Sequence, residues 1–182
     1  MNINVYTEST PNPATMKFIV NKLLINGSVD YATKESAEKS PFAKELYKFS
    51  FVNGVFFASN FVTVTKTEGS DWNDVEPILK EFVKGAVESE LKVQLEEQEE
   101  VNFEGTDAEV KIQQILQDYV RPAVEQDGGA ITYKSFNEGV VTVELRGSCS
   151  GCPSSTVTLK AGIENLLKRM VPEVTEVVSE AV

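Results

Sequence analysis

The sequence contains no histidine. That absence removes imidazole general bases, Ser-His and Cys-His nucleophile pairs, and His-ligated zinc or haem from the chemistry open to the chain. Positive charge is scarce as well: 17 Lys and Arg stand against 28 Asp and Glu, a formal net charge of −11. Such a balance disfavours nonspecific attraction to nucleic acid or to an anionic membrane surface. No run approaches the roughly 18 consecutive apolar residues of a spanning helix. The first eight residues carry neither a basic segment followed by an apolar one nor an Arg-rich amphipathic pattern. The expectation is a soluble, cytoplasmic protein with no nucleic-acid or membrane partner.

What is present suits a folded protein. With 182 residues, 41% hydrophobic and 25% charged, the chain has the composition of soluble globular proteins and the length for two modest cores. Its acidity is concentrated, since residues 88–109 hold nine carboxylates against the single Lys92. Glu96-Glu97-Gln98-Glu99-Glu100 and the residues after it offer few apolar side chains to bury, and clustered like charges favour solvated chain. Residues 91–105 therefore read as an acidic linker between domains at 1–90 and 106–182, the competing reading being an acidic continuation of the preceding helix. Glu96 and Glu97 read as a solvated run, not a catalytic pair.

In the first half, residues 16–20 and 23–25 read as strands, with Asn26-Gly27 as the turn of a tight hairpin. Ser40-Pro41 reads as a helix start, with Ser as N-cap and Pro at the first helical position. Residues 55–57 and 61–65 flank Ala58-Ser59-Asn60 as a second hairpin. Val75, Ile78, Leu79, Phe82, Val83, Ala86 and Val87 then recur at helical spacing, with Pro77 placed in the first turn. Trp72 and the phenylalanines of this half read as core.

The second half opens on Thr106-Asp107-Ala108-Glu109, a capping box, and on Ile112, Ile115, Leu116 and Tyr119 along one face, which predicts a helix over 107–121 stopped by Arg121-Pro122. After the Asp127-Gly128-Gly129 turn, residues 131–133 and 140–145 form a half-buried hairpin across Asn137-Glu138-Gly139, in which Val141, Val143 and Leu145 alternate with Thr142, Glu144 and Arg146. Leu159, Ile163, Leu166, Leu167 and Met170 mark a second helix ending at Pro172, and residues 174–178 a last strand. The expected fold class is α+β in two small domains: an antiparallel-sheet domain, then an α-β-β-α-β domain.

Both cysteines of the chain, Cys149 and Cys152, fall in Gly147-Ser148-Cys149-Ser150-Gly151-Cys152-Pro153-Ser154-Ser155, between a strand and a helix. Two intervening residues let both sulfurs face one centre, and free N–H groups at the following helix start favour thiolate or sulfide. Pro153, Ser154 and Ser155 serve equally well as plain capping residues. A structural disulfide does not suit a reducing compartment, and Pro153 stands where a haem attachment site needs His. Thioredoxin-like dithiol chemistry stays open, although the element order is not the βαβ context that would strengthen it. Tetrahedral zinc and cubane clusters usually take four protein ligands. Two sulfurs from each of two chains make four, which points to a dimer with a metal centre on its axis, or to a half-site completed by a partner. The loop lacks large apolar cover and is expected to be exposed, with the core elsewhere. Arg146 beside it reads as solvated, the other reading being a counter-ion to a cluster or to a recipient's carboxylate.

The stretch from Ile112 through Asp127-Gly128-Gly129 and Gly147-Ser148-Cys149-Ser150-Gly151-Cys152-Pro153-Ser154-Ser155 to Met170 resembles the Nfu domain, the NifU-like C-terminal module of iron–sulfur cluster scaffold and carrier proteins. Thr10-Pro11-Asn12-Pro13-Ala14-Thr15-Met16-Lys17-Phe18, Ser40-Pro41-Phe42-Ala43 and Phe61-Val62-Thr63-Val64-Thr65-Lys66 resemble that family's N-terminal domain. The resemblance implies a non-enzymatic carrier in which Cys149 and Cys152 bind a [4Fe–4S] cluster, with [2Fe–2S] as the other cluster type, bridged within a homodimer. It implies delivery to recipient apo-proteins and loading by upstream assembly proteins. The assembly domain and ferredoxin-like domain of longer relatives are missing from the sequence, so carrier fits better than principal scaffold. Thiol-disulfide exchange and a zinc-bridged structural dimer are the alternatives.

Overall fold

The computed structural model describes residues 2–94, 103, 105–149 and 153–181, without the side chains of 153–156 and 181. The chain divides into two compact units, 1–98 and 99–182.

In the first unit the elements run β1 (Val5–Ser9), β2 (Thr15–Val20), β3 (Ser28–Tyr31), a 3-10 turn (Ser36–Lys39), α1 (Pro41–Leu46), β4 (Val52–Ala58), β5 (Phe61–Lys66) and α2 (Trp72–Glu88). The strands form one antiparallel sheet ordered β1-β2-β5-β4-β3. Strand alternation puts Phe18, Val62 and Phe57 in register across one face, with Met16, Val64 and Val55 beside them. Phe42, Leu46, Leu79 and Val83 of the two helices complete that core. Ser40 caps α1 as its sequence suggests: the hydroxyl accepts from the Ala43 N–H at 3.0 Å and Pro41 opens the helix.

Two local readings give way to longer-range pairing, and a third to an earlier helix start. Residues 23–25 form no strand; the Leu24 and Ile25 N–H groups both donate to the Ser59 carbonyl, at 2.8 and 3.1 Å, and so fasten the β4–β5 turn. Gly27 does take a positive φ, 86°, but β3 after it pairs with β4, so Asn26-Gly27 makes no hairpin. Pro77 lies beyond the first turn because α2 starts at Trp72, and the helix tolerates the lost N–H through burial of Val75, Leu79, Val83, Ala86 and Val87. Ile78, placed in the apolar stripe by spacing, is 46% exposed. Residues 91–93 pack on this unit: Val93 is buried, its carbonyl accepts from Tyr31 Oη at 3.1 Å, and the Lys92 carbonyl accepts from the Phe42 N–H. The acidic run at 96–100 lies outside the described residues.

The second unit comprises α3 (Asp107–Ile115), a π turn (Leu116–Val120), α4 (Arg121–Gln126), β6 (Gly129–Asn137), β7 (Val140–Gly147), α5 (Pro153–Met170) and β8 (Glu176–Ala181). Pro122 does not stop the first helix. It falls in the first turn of α4, and the π turn before it, closed by the Arg121 N–H donating to the Leu116 carbonyl, carries the helix through to α4. β6 and β7 form the expected hairpin, with Glu138 and Gly139 at φ 49° and 84°, but β6 runs from Gly129 to Asn137 with a bulge after Tyr133. β8 pairs with β7 in parallel, so β7, α5 and β8 form a βαβ unit. Val141, Val143 and Leu145 point into a core shared with Ile112, Val124, Ile163 and Leu167.

Two stability tests follow from these caps. Ser40 is fully buried, so Ser40→Ala removes a cap and strands an N–H, and urea unfolding of the first unit is expected to show a loss of about 1–2 kcal/mol. In the second unit the capping box is complete: the Thr106 N–H donates to Glu109 Oε2 at 2.8 Å and the Glu109 N–H to Thr106 Oγ1 at 3.4 Å. The Thr106 N–H, then the Tyr133 hydroxyl, hold the Glu109 carboxyl below the usual carboxylate range. A depressed folded-state pKa stabilises above the unfolded value of about 4.3 and is lost as the pH falls through the folded one. Glu109→Gln should flatten this acid-side decline, and a decline as steep as in the parent would show that Glu109 does not contribute.

Candidate metal centre

The cysteine segment sits at the corner between β7 and α5. β7 ends at Gly147, whose φ of 67° turns the chain sharply, and α5, an 18-residue helix, begins at Pro153. Cys149 lies in between and is 5% exposed. It belongs to the same buried cluster as Val124, Leu145, Ile163 and Leu167. The expectation of an exposed thiol with the core elsewhere is therefore corrected for Cys149: the segment has no large apolar residues, but α3, α4, β7 and α5 bring their own. Cys152 falls within residues 150–152, outside the described residues.

The seat of Cys149 is built by the Asp127-Gly128-Gly129 turn. Gly128, at φ 82°, swings the chain from α4 into β6, and register pairing brings Gly129 opposite Gly147. A Cβ on Gly129 would stand 2.7 Å from Cys149 Sγ and 2.7 Å from the Arg146 carbonyl oxygen, a distance real Cβ atoms do not reach. Glycine here is a steric requirement of the thiol's position. Ser148 ties the two segments together: its hydroxyl donates to the Asp127 carbonyl and its N–H to the Gly128 carbonyl at 3.3 Å. Sequence reasoning singled out the Gly-Gly pair as a turn but did not find that it holds Cys149. The pairing is twenty residues apart in the chain, and the Gly-Gly doublet beside a strand was its one visible trace.

Arg146 is not merely solvated. Its Nη2 lies 3.0 Å from Glu144 Oε1 and its Nε donates to the same oxygen at 3.1 Å, while Lys134 Nζ lies 3.4 Å from Oε2. Glu144, expected on the solvent face of the hairpin, is 5% exposed and is held by both cations. In the first unit Trp72 packs partly against the core and donates from Nε1 to the Pro13 carbonyl at 3.0 Å, and Phe18, Phe42, Phe56 and Phe57 are buried. Among the described residues no group of three or more His, Cys, Asp or Glu is assembled to hold a metal. The βαβ unit also corrects the argument made against a thioredoxin-like pair, because a strand, the C-x-x-C segment, a helix and a parallel strand do follow in that order.

Comparison with known proteins decides the family. The NifU-like domain model matches residues 112–178 and the model of the scaffold protein Nfu/NifU N terminal matches residues 5–90. A human protein named as a mitochondrial iron-sulfur cluster scaffold homolog is 39% identical over 175 residues, covering 93% of this chain and 69% of that protein. The chain belongs to the Nfu family. A mitochondrial NifU-like protein of Arabidopsis thaliana is 38% identical over 185 residues, with 97% of this chain and 65% of the relative covered. A Drosophila erecta scaffold homolog, also named mitochondrial, is 35% identical over 179 residues, with 95% and 63% covered. The Nfu chain thus spans about two thirds of the length of these relatives. A solution structure of a NifU-like protein from Saccharomyces cerevisiae aligns with a TM-score of 0.45 at 17% identity, over 52% of this chain and 87% of that one. Among the described residues no helix of the Nfu chain is long and apolar enough to cross a membrane.

The burial of Cys149 changes what its substitution should do. Cys149→Ser places a hydroxyl in an apolar core and is expected to cost about 1–3 kcal/mol in urea unfolding, a destabilisation that a thiol on the surface would not produce. Unchanged stability would place the thiol outside the core.

Proposed function

We propose that this Nfu chain carries an iron–sulfur cluster on Cys149 and Cys152, as a [4Fe–4S] cluster shared by two copies, and passes it to recipient apo-proteins. The observation that carries the reading is the sequence spacing of the chain's two thiols, Cys149 and Cys152, between the last residue of β7 and the first of α5, in a chain without histidine. Two thiolates per chain leave a cluster half-ligated, and a second copy supplies the other two by symmetry. The scaffold names of the relatives support the same role.

Transfer on this reading is ligand exchange. Incoming thiols of the recipient lose their protons as their sulfurs bond to iron, and Cys149 and Cys152 leave and regain theirs. No net oxidation or reduction is required, and the chain acts as a carrier without catalytic turnover. Upstream assembly proteins supply the cluster, which is [2Fe–2S] if the donor delivers that form. The thiols call for a reducing compartment: the cytoplasm on the sequence reading, while the relatives' names give the mitochondrion.

Native mass spectrometry after anaerobic reconstitution with iron and sulfide tests the proposal. The expected species is a dimer bearing one four-iron, four-sulfide unit, absent when Cys149 or Cys152 is Ser. The loaded dimer should also pass its cluster to an apo-ferredoxin, followed by circular dichroism. A metal-free monomer that reduces insulin disulfides would move the assignment to dithiol chemistry, and bound zinc that iron does not displace would move it to a structural dimer.

A further inference from the structure

We infer that Ser148 and Gly129 are positioning residues that seat the Cys149 thiol inside the core of the second unit, and that cluster loading draws it off this seat. The inference rests on the carrier reading and adds to it a state of the protein in which one ligand is withheld. A sulfur that bonds to an iron shared with a second chain must present surface to that chain. Cys149 instead is 5% exposed and is packed among core side chains.

Independent contacts hold it there. Gly129 gives up the volume that Cys149 Sγ occupies, since any Cβ would come within 2.7 Å of the sulfur. Ser148, the residue immediately before, is joined to the Asp127-Gly128-Gly129 turn by a hydroxyl bond to the Asp127 carbonyl and an N–H bond to the Gly128 carbonyl at 3.3 Å. Ser148 is itself 2% exposed, so its hydroxyl bond is shielded from water. Ser148 thus anchors the backbone on the N-terminal side of Cys149, and Gly147, at φ 67°, turns the chain just before it. The seat lies where the α4–β6 turn meets the β7–α5 corner, at the Gly129–Gly147 pair that ends the β6–β7 ladder.

The test is the alkylation rate of Cys149 by N-ethylmaleimide, read by mass spectrometry at one fixed pH in the cluster-free Cys152→Ser chain. In the folded chain Cys149 should react at least about tenfold more slowly than in urea, because the reagent waits on local opening. Ser148→Ala and Gly129→Ala should each speed labelling by about fivefold or more, and Ser148→Thr, which keeps the hydroxyl, should stay slow. Should Gly129→Ala fail to fold, the Ser148→Ala and Ser148→Thr pair decides the matter. Labelling as fast as in urea, or no change in folded Ser148→Ala, overturns the seat. With Cys152 restored, Ser148→Ala should load cluster faster by its visible absorbance, and an equal loading rate overturns the unseating step. Because the labelling uses no iron, failure of the chain to bind any cluster would sink the carrier reading and leave the labelling result standing.

Discussion

The missing side chain at Gly129 is the constraint on which the cysteine corner depends. Close packing leaves no spare volume in a protein interior, so the Cys149 sulfur can occupy the core only where a neighbour yields the space. Gly129 yields it, and the same closeness lets the Arg146 carbonyl and Gly147 approach from β7. Gly128 is part of the same solution, since its positive φ aims Gly129 at the end of β7. Ser148 then closes the arrangement by satisfying two carbonyls of the turn, Asp127 and Gly128. The turn and the corner thus specify each other, although twenty residues of hairpin separate them.

Around that corner the second unit is organised by its βαβ crossover. β7 is the central strand, flanked by β6 and β8, and it delivers the cysteine segment at its C-terminal end, where the crossover to α5 begins. Crossovers into a helix leave backbone N–H groups without helical partners at this position, which is why loops there suit anionic sulfur. Central placement has a cost on β7 itself. Glu144 is buried in mid-strand and is tolerated because Arg146 and Lys134 both reach it. Arg146 is thereby committed to Glu144 as part of an ion pair.

Features written in contiguous residues were legible from sequence. The capping box at Thr106 and Glu109, the Ser40-Pro41 helix start, the turn at Glu138 and Gly139 and the apolar periodicity of α2 each follow from interactions spanning a few residues. Features decided by distant partners were not. Residues 23–25 have strand composition but find their hydrogen bonds at Ser59, and the plain-looking segments of β1 and β3 become strands because β2 and β4 offer them edges. The parallel pairing of β8 has no local signature at all. At the cysteines, residue types and spacing suggest thiolate chemistry, whereas the burial of Cys149 in a cluster drawn from distant elements, with a glycine opposite, has no local trace.

A buried ligand thiol also bears on how firmly a carrier holds its cargo. When a ligand binds one of two protein states, its apparent affinity is reduced by the fraction of molecules in the competent state. Sheltering Cys149 in the core stabilises the cluster-free chain without touching the cluster-bound one, so on the proposed reading it weakens retention and favours release. Were Cys149 always presented, the free chain would have no state to relax into after transfer, and recapture would compete with the recipient. The seat includes the hydroxyl and N–H bonds of Ser148 to the turn and the absent Cβ at Gly129, all of them local. Local contacts of this kind shift a population between two states, which is what the proposed carrier role asks of a ligand that is both accepted and surrendered.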